Sequence, residues 1–124
     1  MIERYTRKEF KELWSDLKKF QLWLKVELAV CRAWHKKGKI PLTALTDIEK
    51  RTKVDEKTLE RINYYEKIYK HDVLAFVSAI SEQIPEYTHY FHMGLTSSDV
   101  LDTALALQIK EALSLILQTV EKIL

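Results

Sequence analysis

Only four residues of this 124-residue chain, Gly38, Pro41, Pro85 and Gly94, are glycine or proline, and nowhere do Val, Ile and Thr alternate with polar residues over a strand's length. A sheet needs both that alternation and frequent turn residues to reverse the chain. The chain is therefore read as all-α, interrupted near residues 38–41 and 85–94. Thr6 followed by Glu9 has the spacing of a capping box and predicts a helix from Arg7, with a second cap at Ser15-Asp16. Phe10, Leu13, Leu17, Phe20, Leu24, Cys31 and Trp34 then form one apolar seam at steps of three and four, down to Gly38. Lys36, Lys37 and Lys39 stand at the negative pole of that helix, and Ile40-Pro41 forces an extended turn. A short helix is expected over Thr43 to Thr52. Another starts after Asp55 and carries Leu59, Ile62, Tyr65, Ile68 and Tyr69. A mostly apolar helix runs from His71 to Ile84, where Pro85 stops it. The segment PEYTHYFHMG has no clean period and is expected to be an ordered loop.

The last segment says most about organisation. From Ser98 onward only helix formers follow, with apolar residues on every side between Val100 and Leu117. A helix apolar all round belongs inside a bundle, yet a domain of this size has too few other helices to surround it. One reading is a chain cut within a longer bundle, or one that associates obligately; the other is a helix that frays at a natural C-terminus. The burial argument favours the first.

Composition narrows the function classes. With 47% hydrophobic and 31% charged residues the chain reads as a soluble globular protein, and a net charge of +2 is too small to imply nucleic acid. The run from Val100 to Leu117 is broken by Asp102, Gln108, Lys110 and Glu111, which argues against a membrane span. A lone Cys31 allows no disulfide within the chain, and MIERYTRKEF lacks the apolar stretch of a secretory signal; together they fit a reducing, cytoplasmic setting.

Several stretches could carry chemistry. In GLTSSD, Thr96, Ser97 and Ser98 add hydroxyls at a helix N-terminus and Gly94 permits close backbone approach, which would seat a carboxylate or phosphate. Thr96 with Asp99 is also an ordinary capping box, and on the residues alone that is the plainer reading. Lys70-His71-Asp72 sets a cation, an imidazole and an acid at another helix start, where the plainer reading is a solvated N-terminus. Arg4-Tyr5 offers a guanidinium and a phenol to a phosphate. His89 and His92 lack a third ligand at suitable spacing, so no metal site is expected. The basic runs HKKGK and EKRTK read as solvated helix ends. Glu27 interrupts the first long seam and either pairs with a distant base or faces water. Cys31, inside that seam, is not expected to be a nucleophile.

Taken together, MIERYTR, WLKVELAVCRAW, KHDVLAF and HMGLTSSDVLDTA resemble, in order and spacing, the N-terminal part of the bacterial adenylosuccinate lyases of the fumarase/aspartase superfamily. The resemblance implies an N-terminal helical domain over residues 1–95 and the start of a long-helix central bundle over residues 96–124. It implies elimination of fumarate from adenylosuccinate to give AMP, and from the succinylated aminoimidazole carboxamide ribotide of purine synthesis. By that resemblance Arg4 and Tyr5 hold the phosphate of this small nucleotide substrate. Lys70, His71 and Asp72 contact substrate, although a lysine departs from the residues common at its position. Thr96 and Ser97 hold a succinyl carboxylate, and His92 lies close by. No metal or organic cofactor is implied. The family's general acid, a His, and its base, a Ser on a Gly/Ser-rich loop, would fall beyond Leu124, so no catalytic residue is assigned within residues 1–124 and the chain alone is expected to be inactive. Family members are homotetramers whose active sites draw on three subunits. Two alternatives stay open: a relative of the carboxymuconate cycloisomerases, and a stand-alone helical interaction module.

Overall fold

A computed structural model describes residues 2–123; Met1 and Leu124 lie outside them, and the last helix, read as unbroken from Ser98 onward, closes at Glu121. The architecture is all-α, with no strand among the described residues. A 3-10 turn at Glu3–Tyr5 leads into α1 (Lys8–Leu13), α2 (Asp16–Lys36), α3 (Leu42–Arg51), α4 (Glu56–Tyr69) and α5 (Asp72–Ser81). A second 3-10 turn, Pro85–Tyr90, then precedes α6 (Ser97–Glu121).

Local signals set most of these boundaries. Ser15 caps α2 by accepting from the Lys18 amide at 3.1 Å, and Asp55 caps α4 through the Thr58 amide at 3.0 Å. Gly38, at φ 71°, ends α2 in the left-handed region. Two expectations need correction. The capping box at Thr6 and Glu9 does not form: Arg7 is the N-cap of α1, without a side-chain bond, and α1 begins at Lys8. The Thr6 hydroxyl instead donates to the Ile2 carbonyl at 2.7 Å, an acceptor at the head of the preceding 3-10 turn. The Pro85–Gly94 segment is not wholly irregular either, since its first six residues wind as the 3-10 turn. A three-residue turn has a period that neither helix nor strand patterning detects.

The core is aromatic at its centre. Phe76 of α5 is fully buried, stacked on Phe20 with centroids 5.9 Å apart, edge-on to Trp23 at 5.5 Å and tilted against Phe91 at 6.3 Å. These rings join α2, α5 and the segment leading into α6. Elsewhere α4 packs chiefly on α5, and α2 on α6. Polar links tie α6 to the N-terminal elements. Buried Gln108 donates to the Leu13 carbonyl at 2.9 Å, satisfying the end of α1. Arg7 donates to the Thr119 hydroxyl at 2.8 Å, and Lys18 pairs with Glu111 at 2.9 Å.

Only one stripe of α6 is covered, formed by Val100, Ala104, Gln108 and Ala112. Leu105, Ile109, Leu113, Ile116, Val120 and Ile123 recur at steps of three and four on an open face, from 44% exposed at Val120 to 79% at Ile123. That face is the apolar excess that the sequence shows. Among the described residues no helix is long and apolar enough to cross a membrane.

Candidate functional site

The candidate residues lie in three segments. Arg4 and Tyr5 form the exposed N-terminal turn, where the Arg4 guanidinium stacks 4.7 Å from the centroid of the Tyr5 ring. The second segment joins α4 to α5. Lys70 ends α4 in the left-handed region at φ 54° and His71 returns to extended backbone. His71 Nδ1 accepts from the Leu74 amide at 3.2 Å and so caps α5. An Nδ1 that accepts from an amide carries no proton, so the neutral ring bears its hydrogen on Nε2 as an outward donor. Asp72 accepts from the Val73 amide at 2.7 Å, and its carboxylate stands 3.9 Å from His71 Nδ1.

The third segment, residues 92–97, is the most constrained. His92 adopts φ 61°, in the left-handed region that non-glycine residues seldom visit. Its Nδ1 lies 2.6 Å from Glu27 Oε1. Glu27 is fully buried on α2, and its Oε2 is sealed from solvent with no hydrogen-bond partner among the described residues. Trp34, two turns further along α2, donates from Nε1 to the Met93 carbonyl at 2.8 Å. Gly94, at φ 75°, passes so near that a Cβ there would meet the Trp34 ring at 3.1 Å. The Thr96 amide and hydroxyl both donate to Asp99, at 2.7 and 2.9 Å. The capping reading of Thr96 is thus realised, and its hydroxyl is engaged within the cap. Those donations, the amide first, hold the Asp99 carboxyl below the usual carboxylate range. Half-buried Ser97 opens α6. A groove of about 490 Å³ runs beside this segment between α2 and α6, lined by Lys25, Val26, Gly94, Leu95, Asp99 and Thr103.

His92, Thr96 and Ser97 therefore share one turn, and Lys70, His71 and Asp72 another. No hydrogen bond or ion pair among the described residues joins these two turns to each other or to Arg4-Tyr5. His89 and His92 do not converge: His89 packs on Tyr90 with ring centroids 3.9 Å apart, whereas His92 turns to Glu27. No cluster of three or more His, Cys, Asp or Glu side chains among the described residues could hold a metal ion. The three segments present a guanidinium, an imidazole donor, hydroxyls and helix N-termini, groups that suit an anion.

The residue that sequence reasoning left undecided is Glu27. A carboxylate between Val26 and Leu28 in a buried seam was the available signal, and its partner is His92, 65 residues away. Burial pushes the Glu27 carboxyl above its usual range, against the pull of His92. The nearby Cys31 thiol is pushed up to about 11 from 9.0, by burial first and then by the Glu27 and Glu49 charges. A shift of about two units leaves about 100-fold less thiolate at pH 8. Labelling of Cys31 by a disulfide reagent should be slower than in denaturant by at least that factor. Equal rates would show the thiol to be accessible.

A family model described as Lyase matches residues 3–124. The chain is 60% identical over all 124 residues to an adenylosuccinate lyase of Aquifex aeolicus, and spans 28% of that protein's length. A fumarate lyase from Mesorhizobium sp. BNC1 superposes with a TM-score of 0.81 at 32% identity, over 94% of this chain and 29% of that one. The 3-carboxy-cis,cis-muconate lactonizing enzyme of Pseudomonas putida superposes with a TM-score of 0.78 at 29% identity, over 90% of this chain and 26% of its own.

Proposed function

The chain belongs to the lyase family, and from that premise we propose that it forms the N-terminal part of an adenylosuccinate lyase. The enzyme would release fumarate from adenylosuccinate to leave AMP, and perform the parallel cleavage of the succinylated aminoimidazole carboxamide ribotide. The observation that carries this reading is the likeness to the Aquifex aeolicus enzyme, which runs through every candidate segment of the chain.

The reaction removes a proton next to a carboxylate and expels a nitrogen. It needs a base, an acid, and donors for the negative charge that develops on the carboxylate. In this proposal Arg4 and Tyr5 take the nucleotide phosphate, and Lys70, His71 and Asp72 line the substrate. Ser97, Thr96 and the N-terminus of α6 face the succinyl carboxylate, with His92 beside them. The general acid and base belong to segments outside this chain, and no cofactor is required. Residues 1–95 would be the N-terminal helical domain and residues 96–124 the first part of the central bundle. The open apolar face of α6 supports a homotetramer in which bundle helices cover it, working in the cytoplasm. Among the described residues no hydrogen bond or ion pair joins the three candidate segments, which suits a site completed by neighbouring subunits.

The second reading, a carboxymuconate cycloisomerase, has the Pseudomonas putida structure in its favour. The two separate in one assay of the intact protein, offered adenylosuccinate and 3-carboxy-cis,cis-muconate in parallel. Fumarate and AMP from the first substrate alone is the expected result. Lactone from the second, with the first untouched, would overturn the proposal.

A further inference from the structure

We infer that Glu27 is the positioning residue of His92: from the buried side of α2 its carboxylate holds the Nδ1 edge of the ring and leaves the Nε2 edge turned outward beside the start of α6. The inference rests on the proposed lyase function for its catalytic consequence, but not for its geometry.

Three observations carry it. First, Glu27 is a poor choice if its task is only to hold helices together. A fully buried carboxylate with one oxygen unpaired loses hydration that a single contact does not restore. An apolar side chain of similar volume would pack there without that loss. Second, the partner is itself held out of an ordinary conformation. His92 keeps φ 61°, and such backbone persists where its surroundings overdetermine it. Here α2 grips successive residues of the turn from positions seven apart: Glu27 on His92 at 2.6 Å, Trp34 on the Met93 carbonyl at 2.8 Å and against Gly94. Third, the ring is open on its other edge. The His92 side chain is 23% exposed, and Nε2 is not among the polar atoms sealed from solvent without a partner. A carboxylate on Nδ1 fixes that nitrogen as the donor and orients the ring, so that Nε2 is the nitrogen offered to a ligand.

The other titratable groups near the pair are Asp99 on α6 and Cys31 one turn along α2. Asp99 is held below the usual carboxylate range and Cys31 titrates at about 11. Neither changes charge between pH 5 and 8, so neither alters the field at the ring over that range.

The test uses the intact protein labelled with ¹⁵N-histidine, as wild type, Glu27→Gln and Glu27→Met, with His92→Asn to assign the resonance. In the wild type His92 Nδ1 should carry a proton throughout the titration. Both Glu27 variants should loosen the ring, and in Glu27→Met the proton should be shared between Nδ1 and Nε2. They should lower kcat/KM for adenylosuccinate by about 10–100-fold, while the Met variant melts no lower than the wild type. An unprotonated Nδ1 in the wild type overturns the inference without any variant. So does a Met variant whose Nδ1 stays protonated as in the wild type, or a redistributed proton with unchanged kcat/KM, which would leave Glu27 purely structural. A wild type that ignores adenylosuccinate sinks the proposed function instead, and the place of the ring proton still decides whether Glu27 governs the ring.

Discussion

Phe76→Ala is expected to cost about 3–5 kcal/mol of stability, a large share of the roughly 5–15 kcal/mol that holds a domain together. Phe76 has no exposed surface, and its ring is enclosed by Phe20, Trp23 and Phe91 at centroid distances of 5.9, 5.5 and 6.3 Å. Those walls belong to α2 and to the segment before α6, which Glu27 and Trp34 hold in fixed register with each other, so they cannot close freely on the space left by the ring. Most of the cavity would remain, and with it the loss of dispersion contacts. Phe76→Leu refills part of the volume and should cost markedly less. Denaturant unfolding of the intact protein, followed by near-ultraviolet dichroism, measures both. Equal, small losses in the two variants would mean that the site collapses freely and that the aromatic cluster is not the centre of the core.

What could be read in advance divides along the range of the interaction. Ser15, Gly38, Asp55 and Thr96 act on their own or the next turn, and each ends or begins an element where its chemistry predicts. Thr6 misled because its spacing to Glu9 was right while the chain turns into α1 one residue later, with Arg7 at the N-cap and the Thr6 hydroxyl donating back to the Ile2 carbonyl. The turn at Pro85–Tyr90 escaped because three residues per turn leave no signature in apolar periodicity. Gln108 looked like a blemish in an apolar helix and is the partner of the Leu13 carbonyl, 95 residues earlier. Glu27 looked equally out of place, with a partner 65 residues on. No local pattern identifies such partners; a polar residue in an apolar seam marks only that one exists. The candidate binding residues were legible as types, namely hydroxyls, cations and imidazoles at helix starts. How the three segments lie relative to one another was not, because it depends on how α2, α5 and α6 pack.

His71→Ala in the intact protein should lower turnover of adenylosuccinate by about 10²–10⁴-fold, with a much smaller effect on stability. The structure adds a term that the sequence alone hid. His71 Nδ1 caps α5 by accepting from the Leu74 amide, so alanine also removes a helix cap, at a cost of about 0.5–2 kcal/mol. That cost is too small to unfold the protein, but it makes alanine alone an ambiguous probe. His71→Asn separates the two roles, because an asparagine oxygen can accept from the same amide while the outward Nε2 donor is gone. If the ring works on substrate, the Asn variant melts near the wild-type temperature and turns over as slowly as the Ala variant. If His71 serves only to start α5, asparagine restores turnover along with stability, because activity then tracks the cap. Recovery of that kind would remove His71 from the proposed site and leave the carboxylate and phosphate contacts to the other two segments.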